Sequence, residues 1–280
     1  MKKPVFPLLL FILLLLPHIC AAAPLEKLGR QLQSPNPAER LDAVRQIAIN
    51  YTEQGLPFLL QAAEDRDEFV RERAIQGLDA AGGIQAVTAA RKALEDPDPF
   101  VRWRAVQALS RLGVRDVVEQ LGALLADESW RVKVTALELL GTIAGERMKR
   151  SSAEISSNQV IEPVRSYLIG GLEDPDERVS LAAAWALARN RDGAAYEPLI
   201  TLLKDGSLFV RNEAALALGD LGDPWAAIPL VEAVADPLNA VSEEGRDWAN
   251  WGAVKALVKL TGQDFGLKVD KWKEWIKNNL

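Results

Sequence analysis

Histidine and cysteine are almost missing from this chain. Its 280 residues hold one of each, His18 and Cys20, and both fall within the first twenty positions. That stretch reads as a removable segment, and without it the chain has no imidazole and no thiol. Zinc held by His or Cys, Cys nucleophiles, Ser-His-Asp triads and disulfides are then excluded. Methionine is scarce as well, with two copies. No phosphate loop and no Gly-x-Gly-x-x-Gly run occurs. What remains is globular composition, 49% apolar and 26% charged, neither disordered nor fibrous. Acids exceed bases by 39 to 33, a formal charge of −6.

The first residues have the layout of a secretory signal. Lys2 and Lys3 form a positive start, an apolar run from Val5 to Leu16 is broken only by Pro7, and Ala21-Ala22-Ala23 follows. The unbroken part, Leu8 to Leu16, is far short of the roughly 20 residues a membrane-spanning helix needs. Cleavage after Ala22 places small residues at positions 20 and 22, whereas cleavage after Ala23 would leave Pro24 first. The bulky Ile19 argues against Cys20 as a lipid-anchor site. Retention as an uncleaved anchor and an atypical lipoprotein are the alternatives to secretion. Removing residues 1–22 takes two lysines and no acids, moving the formal charge from −6 to −8.

Internal repetition governs the rest. Phe69-Val70-Arg71-Glu72-Arg73-Ala74 recurs 31 residues later as Phe100-Val101-Arg102-Trp103-Arg104-Ala105. Aligned on the alanine, seven units start the same phrase at Ala43, Ala74, Ala105, Ala136, Ala183, Ala214 and Ala253, with steps of 31, 31, 31, 47, 31 and 39. Each alanine shares a helical face with an apolar residue four later: Ile47, Leu78, Leu109, Leu140, Leu187, Leu218 and Leu257. A second amphipathic stretch precedes each phrase, such as Ile84 to Leu94 and Pro198 to Leu203. Acidic turns such as Asp96-Pro97-Asp98-Pro99 and Asp205-Gly206-Ser207 stop one helix and cap the next. Gly82, Gly113 and Gly222 are placed to end second helices in the left-handed conformation. One such hairpin cannot bury its apolar stripe, but seven stacked together can. The expectation is an all-α protein, an α-solenoid of seven two-helix repeats over residues 23–262 with a C-terminal capping segment over 263–280.

This pattern resembles the HEAT-like repeat family, in the short bacterial form named after phycocyanobilin lyases. The resemblance covers residues 25–262 and rests on Asp-x-x-x-x-x-Arg joined to Val-Arg-x-x-Ala-x-x-x-Leu. Asp65 with Arg71, Asp96 with Arg102, Asp127 with Lys133, and Asp205 with Arg211 keep the spacing of six. The resemblance implies a ladder along the stack in which each Asp reaches basic groups of its own and the adjacent repeat. Ser180 opposite Asp174 reads as an interruption at unit five, and Ser34 opposite Arg40 as a frayed start. The ladder itself is expected to be structural.

Two insertions and a tail depart from the repeat. About sixteen extra residues, 146–161, form either a flexible loop or a lengthened helix pair. Eight more, near 237–247, carry Ser242, Glu243, Glu244 and Asp247 into the turn of unit seven. The ending, Leu260 to Gly266 followed by Asp270, Trp272 and Trp275, is similar to the close of exported or envelope-associated HEAT-repeat proteins. Asp270 is placed to cap a short helix with Trp272, Trp275 and Ile276 on one face, suited to closing the end of a solenoid.

No motif reaches the level of an enzyme. The His–Glu pairs of HEAT-like di-iron hydroxylases are missing, and resemblance to lyases lies in the scaffold alone. Acidity and export disfavour the basic nucleic-acid surface of HEAT-like glycosylases. No metal and no cofactor is expected, and nothing bears on oligomeric state. With the Val of each phrase as zero, positions two, three and six of the second helices face away from the core, on the concave side of such a stack. They are polar in Asp42, Arg45, Arg73, Gln76, Arg104, Gln107, Asn212 and Glu213. They turn apolar in Trp103, Val134, Leu181, Trp185 and Leu216. Either these side chains line a groove for a protein or peptide, with Arg104 and Arg189 orienting acidic or backbone groups, or they fold down between neighbouring helices. The functional expectation is a non-enzymatic protein- or peptide-binding scaffold or adaptor of the bacterial periplasm or cell envelope. The competing class is a lyase-like or carboxylate-dependent enzyme using acids such as Glu243 and Glu244. A third is an assembly factor that works through its solenoid ends.

Overall fold

The computed structural model describes residues 24–151, 158–236 and 248–280, with side chains except at 147–151, 158–161, 205 and 248–250. The proposed export signal and the insertion at 237–247 lie outside the described residues, as do residues 152–157 of the other insertion. Among the described residues there are helices and turns and no strand. The chain divides into two compact units at Val114 and Arg115.

The first unit contains α1 (residues 24–31), α2 (Pro37–Asn50), α3 (Leu56–Ala62), α4 (Glu68–Ala81), α5 (Gly83–Lys92) and α6 (Pro99–Arg111). The second contains α7 (Val118–Ala123), α8 (Trp130–Ser151), α9 (Asn158–Gly171), α10 (Glu177–Arg189), α11 (Tyr196–Asp205), α12 (Leu208–Leu221), α13 (Ala227–Ala235), α14 (Trp248–Thr261) and α15 (Val269–Asn279). Odd and even helices form the seven expected pairs, and α15 follows them. Second helices stack in chain order, α2 on α4 on α6 in the first unit and α8 on α10 on α12 on α14 in the second. This is the α-solenoid arrangement the period predicts.

The core forms where the phrase places it. The seven repeat alanines and the seven residues four positions later are each no more than 1% exposed. Burying such side chains stabilises each helix by about 1.5–3 kcal/mol per large residue. The acidic turns act as caps: Asp67 accepts hydrogen bonds from the Phe69 and Val70 amides, Asp98 from Phe100 and Val101, and Ser207 from Val210. Gly82, Gly113 and Gly222 all take positive φ. Gly222 is left-handed helical, while Gly82 has an extended ψ of −166°.

The described part of the first insertion resolves as helix. It goes into α8, 22 residues long, and into the start of α9. At the carboxyl end the first turn differs from the expectation: α15 starts at Val269 after Lys268 with no side-chain cap, and Asp270 lies inside the first turn. Trp272 is fully buried, donates its indole N–H to the Gly266 carbonyl at 2.8 Å, and packs edge-on against Phe265. The helix α15 packs against α13.

Candidate partner-binding surface

The second helices expose one flank, and an ion-pair ladder in the turns sets its register. Arg71 donates through Nε and Nη2 to both carboxylate oxygens of Asp96, each at 2.8 Å, and through Nη1 to the Asp65 carbonyl. Asp96 Oδ1 also accepts from the Asp98 amide. Arg71 therefore closes its own turn with one nitrogen and grips the next repeat with the other two, and Arg40 does the same. The six-residue spacing in sequence marks the carbonyl contact; the carboxylate contact runs between repeats.

The ladder is more complete than the sequence implies at two places. Arg40, 3% exposed, pairs with Asp65 through two bonds of 2.8 Å, and the Ser34 carbonyl serves where an acid was missing. The start is therefore not frayed. Asp174 receives the Lys133 ammonium at 2.7 Å, so the rung entering unit five is present. Ser180 closes its own turn by donating to the Leu172 carbonyl and carries no cation for the following repeat. Burial pushes the Asp65 carboxyl up, but bonds from Arg40 and the Asp67 amide, with the charges of Arg40 and Arg66, outweigh it and hold it below the usual range.

On the exposed flank of the first unit, Trp103 is half-buried beneath Arg104, whose guanidinium carbon lies 4.7 Å from the ring centroid. Arg104 also bonds to Glu72 at 2.6 Å and to Gln107 at 2.8 Å. Its charge is thus met within the protein. In the second unit Val134, Trp185 and Leu216 are half-buried, Arg189 is exposed, and Leu181 is only 7% exposed. Leu181 supports the helix from below and offers no surface to a partner. The indole N–H groups of Trp103 and Trp185 have no hydrogen-bond partner among the described residues.

Three residues on this flank escaped the sequence reading. Glu138 occupies position six of its helix; its side chain reaches solvent, yet desolvation pushes its carboxyl above the usual range, partly offset by the charge of Arg189. Trp251 is 47% exposed with the Lys255 ammonium 3.4 Å from its ring centroid. The Trp130 ring carries Arg178 at 3.9 Å and Arg131 at 4.9 Å. Glu138 and Trp251 were legible by extending the columns at positions six and two. Trp130 was not, because it precedes the phrase. Among the described residues no group of His, Cys, Asp or Glu is arranged to hold a metal ion, and no helix is long and apolar enough to cross a membrane.

Stacked helix pairs joined by an aspartate–arginine ladder define an α-solenoid repeat protein. The family model for HEAT repeats matches residues 25–97, 87–155 and 166–249, and the chain belongs to that family. No curated protein matches the sequence significantly. Among solved structures, the Kap95–Nup1 complex is similar with a TM-score of 0.58 and 16% identity, covering 90% of this chain and 38% of the other. An engineered protein gives 0.51 and 21% over 91% of this chain and 71% of its own. The phycocyanin lyase CpcE–CpcF complex from Nostoc gives 0.48 and 22%, covering 91% and 94%. These likenesses are of fold.

Proposed function

We propose that this HEAT-repeat protein is a non-enzymatic scaffold or adaptor of the bacterial periplasm or cell envelope that binds a protein or peptide along the exposed flank of its second helices. The observation that carries this reading is Trp185, a half-buried indole on that flank whose N–H has no partner among the described residues. A large amphipathic ring with an unused donor is what interface anchors are made of. Trp103 plays the same part in the first unit. Neighbouring Glu138 and Arg189 supply polar groups for orientation. Export rests on the amino-terminal layout of Lys2, Lys3, the apolar run and the alanines.

The test is affinity capture from an envelope fraction with the full-length protein and the Trp103→Ala/Trp185→Ala double variant. The variant retains its helical circular dichroism and loses most of the captured partner, because two anchors at about 2 kcal/mol each amount to a several-hundred-fold loss. Undiminished capture would remove the flank from consideration.

A further inference from the structure

Across the first four repeats each side chain on a second helix has a counterpart 31 residues on, so an interaction present in one repeat and missing in the next stands out. Arg104 and Arg73 are such counterparts. Arg104 donates Nη1 to Gln107 and Nε to Glu72, and its ion pair with Glu72 is about one-sixth exposed on both sides. Arg73 repeats the first contact, donating Nη1 to Gln76 at 2.5 Å. The second has no equivalent. The residue 31 before Glu72 is Leu41, and the adjacent Asp42 accepts from Gln46 instead. Arg73 makes no ion pair among the described residues, and its Nε is shut off from solvent without a hydrogen-bond partner.

With its Nε shut off from water and no counterion, this guanidinium has a strengthened attraction for a carboxylate. The next repeat shows what completes it: Glu72 lies against Nε and Nη2 of Arg104, and on Arg73 it is Nη2, neither bonded nor shut off from solvent, that an incoming carboxylate reaches. We propose that Arg73 is a carboxylate-binding position that takes an Asp or Glu side chain from a peptide segment of the partner protein. Exposed Arg45 on α2 adds positive charge on the same flank. Half-buried Leu41 and Trp103, on the helices to either side, offer apolar surface that a small free anion could not use. The partner is therefore an acidic segment with apolar residues interspersed. This inference deepens the protein-binding reading and rests on it.

The experiment uses fluorescence anisotropy with the full chain and three labelled peptides: alternating Glu and Leu, the same with Gln for Glu, and the same with Lys for Glu. The Glu peptide binds about tenfold tighter than the Gln peptide, the difference between a charge-assisted and a neutral hydrogen bond, and the Lys peptide binds least. Leu41→Glu supplies the missing acid from within, so it raises the thermal midpoint and abolishes the preference for Glu over Gln. Arg73→Gln abolishes the same preference without adding an acid, which covers the case in which Leu41→Glu does not fold. Equal binding of Glu and Gln peptides, a preference that survives both substitutions, or no binding of any peptide overturns the assignment of Arg73. If Glu and Gln peptides bind equally but both weaken in the tryptophan double variant, the assignment falls while the broader reading stands. If binding is indifferent to the tryptophans as well, both fall.

Discussion

At the residue scale the strongest constraint is the pairing of Arg40 with Asp65. Their side chains are 4% and 12% exposed, and two hydrogen bonds join them. Removing one partner leaves the other buried and uncompensated, so Asp65→Asn costs about 3–5 kcal/mol in urea unfolding monitored by circular dichroism. The pH dependence follows from the same pair. The folded-state pKa of Asp65 is depressed, so its contribution is complete above the unfolded value of roughly 3.9 and is lost as pH falls through the folded value. Asp192 and Asp176 are shifted the same way, each chiefly by hydrogen bonds from its arginine, Arg165 and Arg178. Stability therefore declines below about pH 4, and Asp65→Asn, with no carboxyl to protonate there, shows a shallower decline. Equal acid slopes in the two proteins would show that this pair does not set the limit. By contrast, Lys92 and Glu64 form an ion pair with 70% and 58% of their side chains exposed, where screening leaves little net effect.

At the element scale, helices pack closely where small residues allow it. A Cβ on Gly219 of α12 would stand 2.9 Å from the Ala256 backbone of α14, so glycine there sets the spacing between two second helices. The last element depends on one side chain. Trp272 is the only residue of α15 that is buried, and its indole is fixed by the Gly266 carbonyl and Phe265. Trp272→Ala removes most of the apolar burial of α15, a truncation that typically costs about 3–5 kcal/mol in a core. Because α15 packs chiefly against α13, the loss appears as local opening. Hydrogen exchange accelerates across residues 264–279 and in α13, while the seven helix pairs away from that end keep their protection. Unchanged exchange in α15 would mean that something other than Trp272 holds it.

At the scale of the whole molecule, repetition lets units differ on one flank while they share one kind of core. An α-solenoid derives its stability from neighbouring repeats, so its exposed flank tolerates variation in a way the core alanines do not. That freedom accounts for Leu41, Glu72 and Trp103 occupying one column, with a charge pair closed at Glu72 and left open at Leu41. The proposal of export is also tested at this scale. Protein recovered from the envelope of an expressing bacterium begins at Ala23 by intact mass, and so contains neither histidine nor cysteine; a mass retaining residues 1–22 would favour the uncleaved anchor.

The seven alanines, their partners four residues on and the capping aspartates determined the helix pairs without any tertiary information, because helical periodicity and caps act within a dozen residues. The columns at positions two, three and six of the second helices were legible for the same reason, and with them Trp103, Trp185 and Arg104. The cation that each carboxylate takes was not, although the resemblance implied reach to the adjacent repeat as well as to its own. Sequence spacing joined Asp65 to Arg71, whereas the carboxylate of Asp65 is held by Arg40, because the distance that matters runs between stacked helices and not along the chain. For the same reason only the tertiary structure decided that Arg104 is neutralised by Glu72, that Leu181 is packing, and that Arg73 has no counterion among the described residues.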